Sequence, residues 1–216
     1  MFDKIHKRET ITPDDKIILS KYIAVMLKRV PECKINTKEH IPKIAYDLKI
    51  FYNRLLDEIL LENPKNETIV QHRKAEIDNI LDKLSCDPPD EIWHKLVPAD
   101  QTPLMLEGIA TMTWRFILFD EKPVFLTGDN PVFYFSNLGI GSTKSEMSFP
   151  ISSHVTLWAT RRPDLPEGYF PTSMAIVKEM NRRIASITTR YGFHAEDEDW
   201  ILHSLAKKNW KLNRIV

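Results

Sequence analysis

At Met112 the hydrophobic pattern of this chain changes period, and that change limits the fold more than any other feature. Before it, apolar residues recur every three or four positions between proline and asparagine breaks. Beyond it they come in short aromatic and β-branched runs: Thr113–Phe119, Val124–Leu126, Val132–Phe135, Glu146–Ile151 and Val155–Ala159. The first pattern places one face of a helix against a core, the second one face of a strand. Helices first and strands later define an α+β chain: an N-terminal helical bundle, then a mostly antiparallel sheet with C-terminal helices. Antiparallel pairing is expected because the connections are too short for crossovers, with Asp120–Pro123 turning Thr113–Phe119 back onto Val124–Leu126.

Local signals place the helices. Thr12-Pro13-Asp14-Asp15 reads as a cap, a first-turn proline and two acids facing the helix dipole, so a helix starts at Pro13. Ile17, Ile18, Lys21, Tyr22, Val25, Met26 and Arg29 track one broad face of it, and Pro31 marks its stop. A second helix is expected after Asn36 or Thr37, with Ile41, Ile44, Leu48, Phe51, Leu55 and Ile59 turned inward and Asn63-Pro64 as its end. A third runs from about Glu67 to Leu84, and the three suggest an antiparallel bundle. Further helices are expected at Asp90–Trp93, at about Pro103–Ala110, from about Pro171 to Ser186 and at Glu196–Lys207, with a strand at Ser186–Phe193. Residues 1–100 thus form a helical region and 101–216 an α+β region around Thr127–Pro131, joined near Pro98–Pro103 and expected to pack as one compact unit.

Composition excludes several classes. The chain has 216 residues, 43% of them hydrophobic and 28% charged, which fits a soluble globular protein and not a disordered or disulfide-scaffold one. Lys and Arg total 30 against 30 Asp and Glu, and neither half is polarised, so broad phosphate neutralisation on nucleic acid is disfavoured. Cys33 and Cys86 lack C-x-x-C spacing, the start has no apolar signal region, and no stretch is long enough to span a membrane. A cytoplasmic location is expected.

The most informative stretch is Phe125-Leu126-Thr127-Gly128-Asp129-Asn130-Pro131-Val132. Gly128 permits a dihedral that other residues avoid, and Asn130 before Pro131 is driven to an extended conformation, so Asp129 is held in a set direction. Such a carboxylate at a strand end suits a divalent-metal ligand or a general base, with Thr127 and Asn130 orienting it. The same residues suit a structural turn in which Asp129 accepts backbone N–H bonds. That reading is favoured because no partner carboxylate or histidine is identifiable.

Other candidates are weaker. Ser152-Ser153-His154 lies where a Ser-His-Asp set is conceivable, but no G-x-S-x-G elbow or oxyanion-hole signature accompanies it. The remaining histidines show no metal spacing. Glu196-Asp197-Glu198-Asp199 reads as helix-start acids, and the basic tail Lys207–Arg214 as a solvated helix end. Arg161-Arg162 and Arg182-Arg183 are two basic pairs that would form an anion site if they met on one face.

Several of these residues resemble a known family. Phe125-Leu126-Thr127 and Asp129-Asn130-Pro131 are similar to the Phe-Ile-Thr and Asp-Asn-Pro motifs of the bacterial domain-of-unknown-function family numbered 4238. Trp114, the run Phe149-Pro150-Ile151-Ser152, Asn181 and Arg29-Val30-Pro31 extend the match over most of the chain. Leu126 replaces isoleucine, Gly128 stands where serine is usual, and Ser153 where a second proline is usual. The family's opening His-x-x-Pro-x-x-Tyr-Leu segment has no match, so the chain looks like the later two-thirds of such a protein, with that segment or a protein as a partner. The family has no established reaction, so the resemblance implies no substrate; it only directs attention to Thr127–Pro131.

The expected function is a non-enzymatic interaction or regulatory module with no firmly implied cofactor. The alternative is a metal-dependent phosphoester hydrolase, with Asp129 as ligand or base and an arginine pair holding an anion. An apolar patch on the helical half favours the first; a metal partner near Asp129 favours the second.

Overall fold

The computed structural model describes residues 1–89, 92, 95, 103–207 and 209–215. Of the expected helix at Asp90–Trp93 and the linker at Pro98–Pro103, only Ile92 and Pro103 fall within this set. The chain divides into two compact units, residues 1–30 with 99–216, and residues 31–98.

The smaller unit is a helical hairpin. Helix α3 (Pro31–Glu62) and α4 (Glu67–Cys86) are joined by a 3-10 turn at Pro64–Asn66. Pro31 opens α3 where the sequence predicts a stop, because proline lacks only an N–H that a first helical turn leaves unused. Ile41, Ala45, Val70 and Leu81 are buried at the seam. Lys49 pairs with Asp82 at 3.1 Å and Lys74 with Asp57 at 2.5 Å across it.

The larger unit holds the sheet and the helix expected to lead the bundle. Helix α1 (Phe2–His6) precedes α2 (Pro13–Arg29), which packs against α5 (Pro103–Ala110). Thr12 caps α2 as expected, and Asp15, expected only as a first-turn acid, completes a reciprocal cap with it. Its buried face is Leu19, Ile23 and Ala24, not the predicted one; Ile17, Ile18 and Tyr22 are exposed. The small Ser20 and Ala24 are fully buried on that face, where they permit close approach of a neighbouring element.

Five strands form a sheet in the order β3-β4-β5-β1-β6: β1 (Thr113–Leu118), β3 (Phe133–Tyr134), β4 (Glu146–Pro150), β5 (Val155–Thr160) and β6 (Gly168–Pro171). All pairs are antiparallel except β1 with β6. The predicted hairpin of Thr113–Phe119 with Val124–Leu126 does not form, because β5 and β6 occupy both edges of β1. Val124 and Phe125 instead donate their N–H groups to Ser153 O at 2.8 and 3.0 Å. A separate two-residue ladder joins β2 (Thr127–Gly128) to β7 (Gly192–Phe193).

Strand periodicity sorts the core into layers. Trp114, Phe116, Leu118, Met147, Phe149, Val155, Leu157 and Ala159 pack with Ile5, Leu19, Ile23 and Ile109 of α1, α2 and α5. On the opposite face Ile117 and Trp158 pack with Val177 and Met180 of α6 (Met174–Ile187). A third cluster around Leu126, Phe133 and Ile184 receives Trp200 and Leu205 of α7 (Asp199–Ala206). Both faces are covered, so β4 and β5 are buried along their whole lengths, polar residues included.

The buried polar residues of β4 have a partner. Arg183 of α6 is fully buried and donates to Glu146 at 2.7 Å, to Ser148 Oγ at 3.0 Å and to Asn213 O at 2.7 Å. Glu146 also accepts from Trp158 Nε1 at 3.3 Å and from Ile215 N at 3.2 Å, and Glu179 accepts from Asn213 N at 2.8 Å. The C-terminal segment, predicted to be a solvated helix end, is therefore strapped across α6 and β4. Removing one partner of a buried pair strands the other charge, at a cost of about 3–5 kcal/mol. Arg183→Met is expected to lower stability by about that amount in urea unfolding; a loss below about 1 kcal/mol would mean that solvent reaches the network.

Candidate functional site

The Thr127–Pro131 motif sits between two distant stretches of the chain. Upstream, Asn181 of α6 fixes the approach: its Oδ1 accepts from Leu126 N at 2.9 Å and its Nδ2 donates to Val124 O at 2.7 Å. An amide supplies both a donor and an acceptor, so one side chain replaces the strand partner that residues 124–126 lack. Downstream, Thr127 and Gly128 pair with Phe193 and Gly192.

Gly128 is needed for space and not, as the sequence suggests, for an unusual dihedral. The positive-φ glycines are Gly139 and Gly168. A Cβ at Gly128 would lie 2.2 Å from Thr188 Oγ1, and one at Gly192 would lie 2.6 Å from Leu205. The two glycines face each other in the ladder and let it lie against the end of α6 and against α7.

Asp129 is the clasp of this arrangement. Its carboxylate accepts from Thr189 N at 2.9 Å, Thr189 Oγ1 at 2.6 Å and Arg190 N at 2.8 Å, while its own N–H donates to Tyr191 O at 2.9 Å. Burial works to raise its pKa, but the hydrogen bonds from the Thr189 hydroxyl and the nearby backbone prevail and hold it below the ordinary value. Such a carboxylate stays ionised at neutral pH, with its oxygens engaged by the turn after α6. Asn130 is buried, and its Oδ1 has no hydrogen-bond partner among the described residues. Thr127 is half-buried and lines two small cavities of about 160 and 300 Å³, both bordered by Pro150 and Ile151.

The two candidate arginine pairs do not share a partner. Arg161 donates to Gly108 O at 2.6 Å and to Thr111 Oγ1 at 2.9 Å, which ties β5 to α5. Arg162 pairs with Asp164 at 2.5 Å, Arg182 lies 3.7 Å from Glu179, and Arg183 is the buried cation already described. His154 Nδ1 is 3.0 Å from Phe119 O. Among the described residues no group of three or more His, Cys, Asp or Glu side chains is placed to hold a metal ion, and none of their helices is long and apolar enough to cross a membrane.

A different surface stands out on the hairpin. Ile44, Leu48, Phe51, Leu55 and Ile59, predicted to face inward, form a stripe along α3 that remains exposed, at 54% for Ile44 and 59% for Phe51. Ile69 and Ile80 of α4 are likewise turned outward, at 64% and 61%. The residues and their common helical face are legible in the sequence. Their exposure is not, because α2 packs within the other unit and leaves the expected bundle with two helices.

The family model described as "Protein of unknown function (DUF4238)" matches residues 1–198, and the chain belongs to that family. No curated protein and no solved structure matches it.

Two outcomes test the clasp. Gly128→Ala is expected to cost about 1–3 kcal/mol by overpacking, with part of that recovered in combination with Thr188→Ala. Because the Asp129 pKa is depressed in the fold, its contribution is complete above the unfolded carboxylate value and lost as pH falls through the folded one. The stability gap between wild type and Asp129→Asn should hold from neutral pH to about 5 and close below about 4, as read by urea unfolding at each pH.

Proposed function

We propose that this chain is a non-enzymatic interaction module that offers the apolar face of its helical hairpin to a protein partner. The carrying observation is the exposed stripe Ile44, Leu48, Phe51, Leu55 and Ile59. A two-helix hairpin buries only the side of each helix that faces the other. Contiguous exposed apolar surface on a soluble chain marks an interaction site more often than chance decoration, and the i, i+4, i+7, i+11, i+15 spacing suits a helix-in-groove or helix-on-helix partner.

The metal-hydrolase alternative gains no support from the motif loop. Asp129 is engaged by Thr189 and Arg190, and the described residues offer it no second and third ligand. Thr127 and Asn130 orient the turn in this reading, not a reacting group.

The test separates a partner face from the hairpin's own packing. If the stripe belongs to a partner, Ile44→Glu with Phe51→Glu leaves helical circular dichroism and the melting midpoint close to wild type. A photoreactive residue at position 51 then crosslinks one discrete species in cells, and the Glu substitution at 44 abolishes that species. If the stripe is internal packing, the double variant loses helicity and about 2–5 kcal/mol of stability, which would refute the proposal.

A further inference from the structure

The larger unit contains a cleft between α6 and α7 that the hairpin reading does not use. It encloses about 460 Å³, within the range of small-molecule sites and too small for a folded partner. Its apolar walls include Val124 and Val177, and the indoles of Trp200 and Trp210 also line it. Among the described residues three cations, Lys122, Lys178 and Arg182, border it with a single carboxylate, Glu198.

The charges do not cancel inside the cleft. Glu198 lies 3.7 Å from Lys122. Arg182 is 3.7 Å from Glu179 and has its guanidinium 5.3 Å from the centre of the Trp210 ring. Lys178 has no ion-pair partner among the described residues. In a chain with a formal net charge of +0, this is a local excess of positive charge set in apolar walls, where an anion is attracted more strongly than on an open surface.

The aromatic groups are held in place without a ligand. Trp210 donates its indole N–H to Ser204 O at 3.2 Å, and the His194 ring meets Trp200 edge-on with centres 5.4 Å apart. His194 also lines the cleft, and its Nε2 is buried with no hydrogen-bond partner among the described residues. The Lys207 ammonium also lies over the Trp210 ring, 4.2 Å from its centre, and an indole π-face stacks on a planar ring as it does on a cation.

We infer that this cleft binds a small planar aromatic molecule carrying a phosphate group, of mononucleotide size. Trp200 and Trp210 flank the ring, and Lys178 and Arg182 hold the phosphate. The site stands on a different unit from the hairpin face, so each can fail without the other.

The test is calorimetric titration of the full chain with AMP, GMP, CMP and UMP, and with adenosine, inorganic phosphate and decanoate as probes of each half of the chemistry. Saturable one-to-one binding of at least one mononucleotide is expected, with adenosine and phosphate each weaker by about tenfold or more. Lys178→Gln and Arg182→Gln should each weaken it by about tenfold while circular dichroism and the melting midpoint stay at wild-type values. Trp210→Leu should weaken adenosine and the mononucleotide alike. No heat of binding from any mononucleotide up to about 10 mM would overturn the inference. So would an affinity unchanged in the Lys178→Gln, Arg182→Gln double variant, or decanoate binding more tightly than every mononucleotide, which would mark an aliphatic-anion site instead.

Discussion

A guanidinium with no solvent access sets the terms for the sheet unit. Arg183 cannot be buried unless acceptors meet it, and those acceptors come from two separate parts of the chain: Glu146 and Ser148 on β4, and the Asn213 carbonyl in the C-terminal segment; Glu179, one helical turn earlier on α6, adds only an ion-pair neighbour 3.8 Å from its Nε. The Phe133 and Phe135 rings lie 5.4 and 5.1 Å from its charged carbon. Desolvation makes any other arrangement of these elements costly, so the network acts as a register pin more than as net stabilisation. It places α6 over β4 and draws residues 213–215 back across both.

With α6 fixed, the family motif takes on a structural meaning. Asn181 on the same helix holds Val124 and Leu126, the ladder of Thr127–Gly128 with Gly192–Phe193 follows, and Asp129 closes on Thr189 and Arg190 just beyond the end of α6. The motif is thus a clasp that returns the chain from α6 past the sheet. The segment it releases carries His194, Glu198 and Trp200, which wall the cleft that also contains Asn181 and Val124. A substitution at Asp129 is therefore expected to act on this segment first and to leave the helical hairpin, a separate unit, unchanged.

Sequence reasoning succeeded where the information is local. The Thr12 cap, the start of α2 at Pro13, the span of α5 and most of α4 follow from residues within a few positions of one another. Its failures are long-range. Strand β6 consists of Gly168, Tyr169, Phe170 and Pro171, a run with no β-branched signal, and it joins β1 in parallel only because that edge is open. Of the adjacent arginines 182 and 183, one borders a cleft and the other is the core's cation, and the 100° turn between neighbours on a helix decides which. That Asp129 accepts backbone N–H bonds in a turn is legible in the sequence, but the donors lie about sixty residues downstream and carry no motif of their own. The apolar stripe of α3 is legible as one helical face, but its exposure depends on the number of helices in its unit.

The claim that the motif is a clasp is most directly tested by native-state hydrogen exchange on wild type and Asp129→Asn at neutral pH. If it is a clasp, exchange should quicken at the amides of Thr189, Arg190 and Asp129 and through the β2–β7 ladder, while α3, α4 and the β1–β5 pairing keep wild-type protection. Unchanged protection of residues 189–193 in the variant would contradict it, leaving the Asp129 carboxylate free for some other role.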